Sequence, residues 1–128
     1  MSLVTRVDFV GIPTRDLDRA VAFYGTTLGI PMSRHIPERN FAEFETGTVT
    51  FNVHNPERMG IGSFQPNSNH LALHVDDVAA TRATLEQRGV EFAGDIFDTG
   101  VCHMAFFRDP DGNSLMLHHR YAPRSTET

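Results

Sequence analysis

Histidines are the residues of this sequence best suited to chemistry near neutral pH. The 128-residue chain has seven of them: His35, His54, His70, His74, His103, His118 and His119. An imidazole titrates near pH 6.5, so it can transfer a proton or coordinate a metal ion under ordinary conditions. The single cysteine, Cys102, excludes an internal disulfide and suits a reducing compartment. The first question is therefore which histidines the fold brings together.

Two of the histidines lie in a segment that alternates between polar and apolar residues, from His70 through Leu71, Leu73 and His74 to Val75. A period of two predicts a β-strand with both histidines on one face and the leucines on the other. Along such a strand His70 and His74 are about 13 Å apart, so one metal ion with bonds of about 2 Å cannot take both.

A histidine metal site must therefore use other strands. His118 lies in the predicted strand 114–119, on the face that it shares with Met116. His103 lies in the predicted strand 101–108, where the alternation leaves open which residues face inward. Together with water, His70, His118 and His103 would satisfy zinc, iron or nickel if they converged.

The elements that position these residues form two copies of one βαβββ pattern. In the first copy we predict strands over 4–12, 32–37, 41–45 and 49–54 and a helix over 16–28. In the second we predict strands over 70–75, 90–97, 101–108 and 114–119 and a helix over 77–88. Asp16 and Asp77 are helix N-caps, and Gly29 and Gly89 end the helices. The modules cover about 4–54 and 67–120, separated by a linker at 55–66 and followed by a tail at 121–128.

The alternation also predicts which side chains face the concave side of each sheet. In the first strand Phe9 points there, and Val10 packs under the helix. In the second copy His70, His74, Met116 and His118 point there. A mostly apolar concavity with a few polar groups is typical of a small-molecule site.

Three segments resemble the vicinal oxygen chelate superfamily, the glyoxalase/bleomycin resistance protein/dioxygenase family. They are the first helix (16–24, with Leu-Gly-Ile at 28–30), the start of the second copy (70–78) and the Asp-Pro-Asp-Gly-Asn turn at 109–113. The resemblance spans about residues 4–120 in the right order. It implies an α+β fold, with two βαβββ modules forming a half-open barrel around a central cavity.

The resemblance also implies a divalent metal in the enzymatic members, held by His and Glu on the first and last strands of each module. The matching positions here are Phe9, Phe51, His70 and Met116, and Asn52 replaces Phe51 if the register differs by one. His70 alone keeps a good donor, since a thioether is a poor ligand for a hard cation. We therefore expect no cofactor. Zinc, iron, nickel or manganese bound by His70, His118 and His103 is the alternative.

Three functions follow from this interpretation. The first is a protein that binds a small organic molecule in a mostly apolar cavity lined by Phe9, Phe51, His70, His74, His103, Met116 and His118. The second is a metal-dependent lyase, isomerase or dioxygenase with a shifted histidine site, where His70 is the best catalytic candidate. The third is an interaction module without activity, its cavity plugged by Phe9 and Phe51.

Composition limits which classes of partner and which cellular location the sequence is compatible with. The net charge of −5 argues against nucleic acid or an anionic membrane, both of which require basic surfaces. No apolar run approaches the roughly 20 residues of a membrane helix, and no signal-peptide pattern opens the sequence. We therefore expect a cytoplasmic protein that binds a small molecule, and the resemblance implies a homodimer.

Overall fold

The first half of the chain folds into a four-stranded sheet with the order β1-β4-β3-β2. The computed structural model describes residues 1–124, and the chain divides into two units between Asn67 and Ser68. The strands of the first unit are β1 (Phe9–Pro13), β2 (Met32–Ile36), β3 (Phe41–Glu45) and β4 (Thr50–His54). β1 runs parallel to β4, and the other neighbours are antiparallel.

β1 is shorter than the sequence predicts because its partner strand begins late. Phe9 pairs with Thr50, the first residue of β4, so residues 4–8 have no strand beside them. Those residues are exposed and have no regular secondary structure, although their composition is typical of a strand.

The first helix, α1 (Leu17–Ala22), begins where the sequence predicts. The Asp16 carboxylate accepts a hydrogen bond from the backbone N–H of Arg19, which satisfies one free donor of the first turn. A π-helical turn (Phe23–Thr27) follows, and Gly29 adopts φ 73° just beyond it. The buried Tyr24 ring of this turn packs against Phe44 and Phe51.

The predicted linker at 55–66 is partly structured. Asn55 is buried and caps a short helix, α2 (Pro56–Met59), by accepting from the backbone N–H of Arg58. Phe64 is also buried, and the Arg15 guanidinium lies 4.4 Å from its ring centroid. This segment therefore belongs to the packed first unit.

The second unit repeats the topology, with the sheet order β5-β8-β7-β6. Its strands are β5 (Leu71–His74), β6 (Phe92–Asp98), β7 (Cys102–Arg108) and β8 (Ser114–Arg120). Its helix α3 (Val78–Gln87) is capped by Asp77, whose carboxylate accepts from the backbone N–H of Ala80. Both sheets are open, and no described strand of one pairs with a strand of the other.

The turn before β8 is built around a buried carboxylate. Asp109 accepts from the backbone N–H groups of Asp111 and Asn113 at 2.9 Å and from the Asn113 side-chain amide at 2.7 Å. The backbone N–H of Gly112 donates to the Asp109 carbonyl, and φ at Gly112 is 88°. Of the predicted tail, Tyr121 and Ala122 donate backbone hydrogen bonds to Val101, and residues 125–128 lie outside the described part.

Candidate functional site

The face of the second sheet that α3 does not cover brings together most of the predicted site residues. Strand pairing sets Ala72 beside Met116 and Met116 beside Phe106. One row further along, Met104 lies beside His118. Side chains in register share a face, and we call this surface the second open face. It carries His70, Ala72, His74, Met104, Phe106, Arg108, Met116, His118 and Arg120.

The opposite face of this sheet forms the core of the second unit. Phe107, Leu115 and Leu117 are buried there, together with Val78 and Leu85 of α3. Met104, Phe106 and Met116, by contrast, stay partly exposed. The second open face is therefore an apolar surface that α3 does not cover.

His70 lies at one end of this face, immediately before β5. Its imidazole makes an edge contact with the Phe106 ring, with centroids 5.0 Å apart and planes at 72°. His70 is exposed, so both the ring and its nitrogens are accessible. The sequence places His70 correctly on the same face as Met116.

His103 lies on the other face of the sheet. It pairs with His119, between Cys102 and Met104, and therefore projects to the side of α3. Its Nε2 is 3.5 Å from Asp98 Oδ2, and its ring is 4.7 Å from that of Tyr121. The prediction that His103 shares a site with His70 and His118 is therefore wrong.

His74 ends β5 on the face that it shares with His118, as the alternation predicts. It pairs with His118 in register, but its ring centroid is 5.8 Å from that of His119 and its Nε2 is 3.4 Å from Asp76 Oδ1. The His119 ring in turn hydrogen-bonds the Val75 carbonyl through Nδ1 at 3.1 Å. The imidazole of His74 thus lies at the strand end, near the start of α3.

The predicted histidine metal site is not formed. His70 precedes Leu71, the partner of Leu115, so it lies roughly 13 Å along the strands from His118. His103 is on the opposite face. Among residues 1–124 no three His, Cys, Asp or Glu side chains are grouped to hold an ion.

A separate polar cluster lies on the helix side of the sheet. The Tyr121 hydroxyl donates to Asp98 Oδ1 at 2.8 Å, and the backbone N–H of Gly100 donates to the same carboxylate at 2.8 Å. The Gly100 and Tyr121 hydrogen bonds lower the pKa of Asp98, and the same carboxylate raises the pKa of Tyr121. Tyr121, His103 and His119 border a cavity of about 380 Å³ at the start of α3.

The first sheet has a polar open face, which the sequence analysis largely missed. Glu43, Asn52 and Gly11 form one row, with Asn52 Nδ2 3.4 Å from Glu43 Oε2. The Glu43 carboxylate is also 3.7 Å from the Arg34 guanidinium and is 18% exposed. His54 stands beside this row because Gly11 leaves room: a Cβ there would be 3.2 Å from His54 Cε1. The alternation of polar and apolar residues in 41–45 and 50–54 is the sequence pattern that indicates this polar face.

Phe51 does not lie on this open face. It is 4% exposed and packs on the helix side, with its ring 6.2 Å from that of Tyr24. Its partner Val10 belongs to the same side. Phe51 therefore neither lines nor plugs a cavity on the open face, as two of the predicted functions required. Phe9 does lie on the open face and is 57% exposed.

The residues at the family's ligand positions do not suit a divalent metal. Gly11 pairs with Asn52 as Ala72 pairs with Met116, so Asn52 is the structural counterpart of Met116. The four positions are then Phe9, Asn52, His70 and Met116. A phenyl ring supplies no donor, an amide oxygen is a weak ligand and a thioether suits soft ions. We derive no metal chemistry from this set.

Comparison with known proteins identifies the family. Residues 6–117 match the model of the Glyoxalase/Bleomycin resistance protein/Dioxygenase superfamily. A probable lactoylglutathione lyase of Vibrio cholerae is 26% identical over 115 residues, which cover 80% of this chain and 81% of that protein.

Solved structures agree with this match. TnmS3, an antibiotic binding protein from Streptomyces sp. CB03234, is 25% identical, with a TM-score of 0.77 over 94% of this chain and 99% of that one. A lactoylglutathione lyase from Agrobacterium tumefaciens has the same fold at 20% identity, with a TM-score of 0.77 over 90% of this chain and 93% of that one. No helix among residues 1–124 is long and apolar enough to cross a membrane. The chain belongs to the Glyoxalase/Bleomycin resistance protein/Dioxygenase superfamily.

Proposed function

We propose that this protein binds a small organic molecule on the second open face, through side-chain contacts and without a metal ion. The observation that carries the proposal is the composition of that face, where Met104, Phe106 and Met116 lie side by side, partly exposed, next to His70 and His118. Small-molecule sites combine such an apolar floor with a few polar groups that fix orientation.

The side chains of this floor suit a flat apolar ligand. Methionine is unbranched and polarizable, so Met104 and Met116 can adapt to an aromatic surface. Phe106 supplies a ring whose edge geometry is already fixed by His70. A ligand on this floor would lie between His70 at one end and His118 toward the other.

The relatives include both a binding protein and lyases. TnmS3 is named as an antibiotic binding protein, whereas other relatives are named as lactoylglutathione lyases. The donor set supports a binding protein, since only His70 among the four ligand positions is a good ligand for a divalent ion. We therefore infer that the ligand is held by packing and hydrogen bonds.

The test uses a neutral fluorescent probe, N-phenyl-1-naphthylamine, with the full chain. We expect saturable binding, and we expect Met116→Gln to weaken it because a polar amide replaces the centre of the apolar floor. Met59→Gln is the matched control, since Met59 is exposed on α2 of the other unit. The probe affinity of the control should stay at the wild-type value.

Metal analysis supplies the contrary outcome. We expect plasma mass spectrometry to find far less than one metal per chain, unchanged by His70→Ala or by the control His35→Ala on β2. One metal per chain that His70→Ala removes, together with no probe binding, would overturn the proposal. A metal-dependent enzyme would then be the better interpretation.

A further inference from the structure

Arg120, the last residue of β8, has an unsatisfied donor in the second unit. Its Nε is buried, and no residue of the described part accepts a hydrogen bond from it. Its Nη2 donates to the Pro123 carbonyl at 3.3 Å. A buried polar group without a partner is costly, so an unmatched guanidinium N–H calls for an acceptor that residues 1–124 do not supply.

Strand register places Arg120 on the second open face. Arg120 pairs with Cys102, and two residues earlier His118 pairs with Met104. Residues two apart on a strand point to the same side, about 6.6 Å from each other. Arg120 thus follows His118 on this face, at the end of the apolar floor opposite His70.

The charges that the strands place on this face are of one sign; Asp76, beyond the end of β5, lies 3.4 Å from His74 and borders the cavity on the helix side. β5, β7 and β8 contain no Asp or Glu, and their cationic residues on the open face are Arg108 and Arg120, together with the titratable His118. Of the two β6 carboxylates, Asp98 bonds to Tyr121 near His103 on the helix side, and Asp95 lies in the irregular, exposed part of that strand. This face therefore favours an anion although the whole chain carries −5.

We propose that the ligand of this site is an organic anion with an aromatic body. Arg120, assisted by His118, binds the anionic group, and Met104, Phe106 and Met116 contact the body. The apolar floor begins beside His118, because Met104 pairs with His118. The anionic group of one compact molecule can therefore contact Arg120 while its ring contacts the floor. A guanidinium binds a carboxylate, sulfonate or phenolate oxygen through charge-assisted hydrogen bonds. This inference rests on the proposed function, whose site it uses.

A pair of fluorescent probes that differ by one charged group tests it. 8-Anilinonaphthalene-1-sulfonate carries a sulfonate that N-phenyl-1-naphthylamine lacks. We expect the sulfonate to bind more tightly, and Arg120→Gln to weaken its binding about tenfold, as the loss of one charged hydrogen bond predicts. The neutral probe should change by less than about twofold, within the scatter of such comparisons.

Two further variants keep the result interpretable. Arg88→Gln removes the same charge at the exposed C-terminal end of α3 and should leave both affinities unchanged. Arg120→Lys retains the charge and should preserve preference for the sulfonate, and circular dichroism checks that each variant is folded.

Equal affinity of the two probes, unaffected by Arg120→Gln, would refute the anion site and leave the proposed function standing. Failure of both probes to bind would refute both.

Discussion

The position of Phe51 under the helix can be tested by comparing it with Phe9. Phe51 is 4% exposed and contacts Tyr24, so Phe51→Ala removes a buried ring and leaves a cavity. Such substitutions cost about 3–5 kcal/mol. Phe9 is 57% exposed, so less than half of its ring surface is buried. Since complete burial of a Phe side chain is worth about 1.5–3 kcal/mol, Phe9→Ala should cost at most about 1 kcal/mol.

Urea unfolding followed by circular dichroism measures both losses. Domains of this size have about 5–15 kcal/mol of stability, so Phe51→Ala can approach complete unfolding. Phe51→Leu keeps most of the volume and should cost about 1–2 kcal/mol, which keeps the comparison measurable. Equal losses for the two alanine variants, or a larger loss at Phe9, would show that β4 is turned over and that our assignment of its two faces is wrong.

Three further predictions concern the second unit. Asp109→Ala should lower the free energy of unfolding by about 2–3 kcal/mol, because it leaves the buried Asn113 amide and turn N–H groups without their acceptor; an unchanged urea midpoint would contradict this. Asp77→Ala should cost about 1 kcal/mol through loss of the α3 N-cap, and Asp77→Asn should restore most of it in the same assay. Hydrogen bonds lower the pKa of Asp98 in the folded state. The Asp98 carboxylate therefore stabilises the fold above its ordinary pKa of 3.8, and this stabilisation is lost as pH falls through the lower pKa of the folded state. Tyr121→Phe should move the pKa of Asp98 upward in a carboxyl carbon NMR titration, and an unchanged pKa would show that this hydrogen bond is absent in solution.

The repeated βαβββ order could be predicted because its signals are local. Asp16 and Asp77 each cap a helix by accepting a hydrogen bond from the backbone N–H three residues later. The glycines that follow the helices adopt positive φ where the chain turns. None of these features depends on a distant contact. They therefore appear in both copies at nearly the same spacing, 13 residues from Asp16 to Gly29 and 12 from Asp77 to Gly89.

The register of β4 could not be predicted by counting from a turn. Met116 lies four residues after Gly112, and the same count from Gly47 reaches Phe51. Gly47, however, lies five residues before the counterpart of Met116, which strand pairing shows to be Asn52. A shift of one residue turns every side chain to the other face, and the packing of Phe51 on Tyr24 shows which face of β4 is buried.

The face of His103 was undetermined for a different reason. β7 has apolar residues on both sides: Ala105 and Phe107 point to the core, and Met104 and Phe106 point to the open face. Alternation carries no information in such a strand. The pairing of Met104 with His118 decides the matter, and it is a contact between strands that no local pattern contains.

The two open faces differ in chemistry although the strands that build them correspond. Gly11 and Ala72 are counterparts, as are Asn52 and Met116, so the backbone offers equivalent positions in each unit. On the first sheet these positions adjoin the Glu43 carboxylate. On the second they adjoin Phe106, on the face that also carries Arg120. The fold constrains the helix-side residues through burial and leaves the open-face residues free to vary. Function in this chain should therefore follow the second open face, where apolar surface and unmatched positive charge coincide.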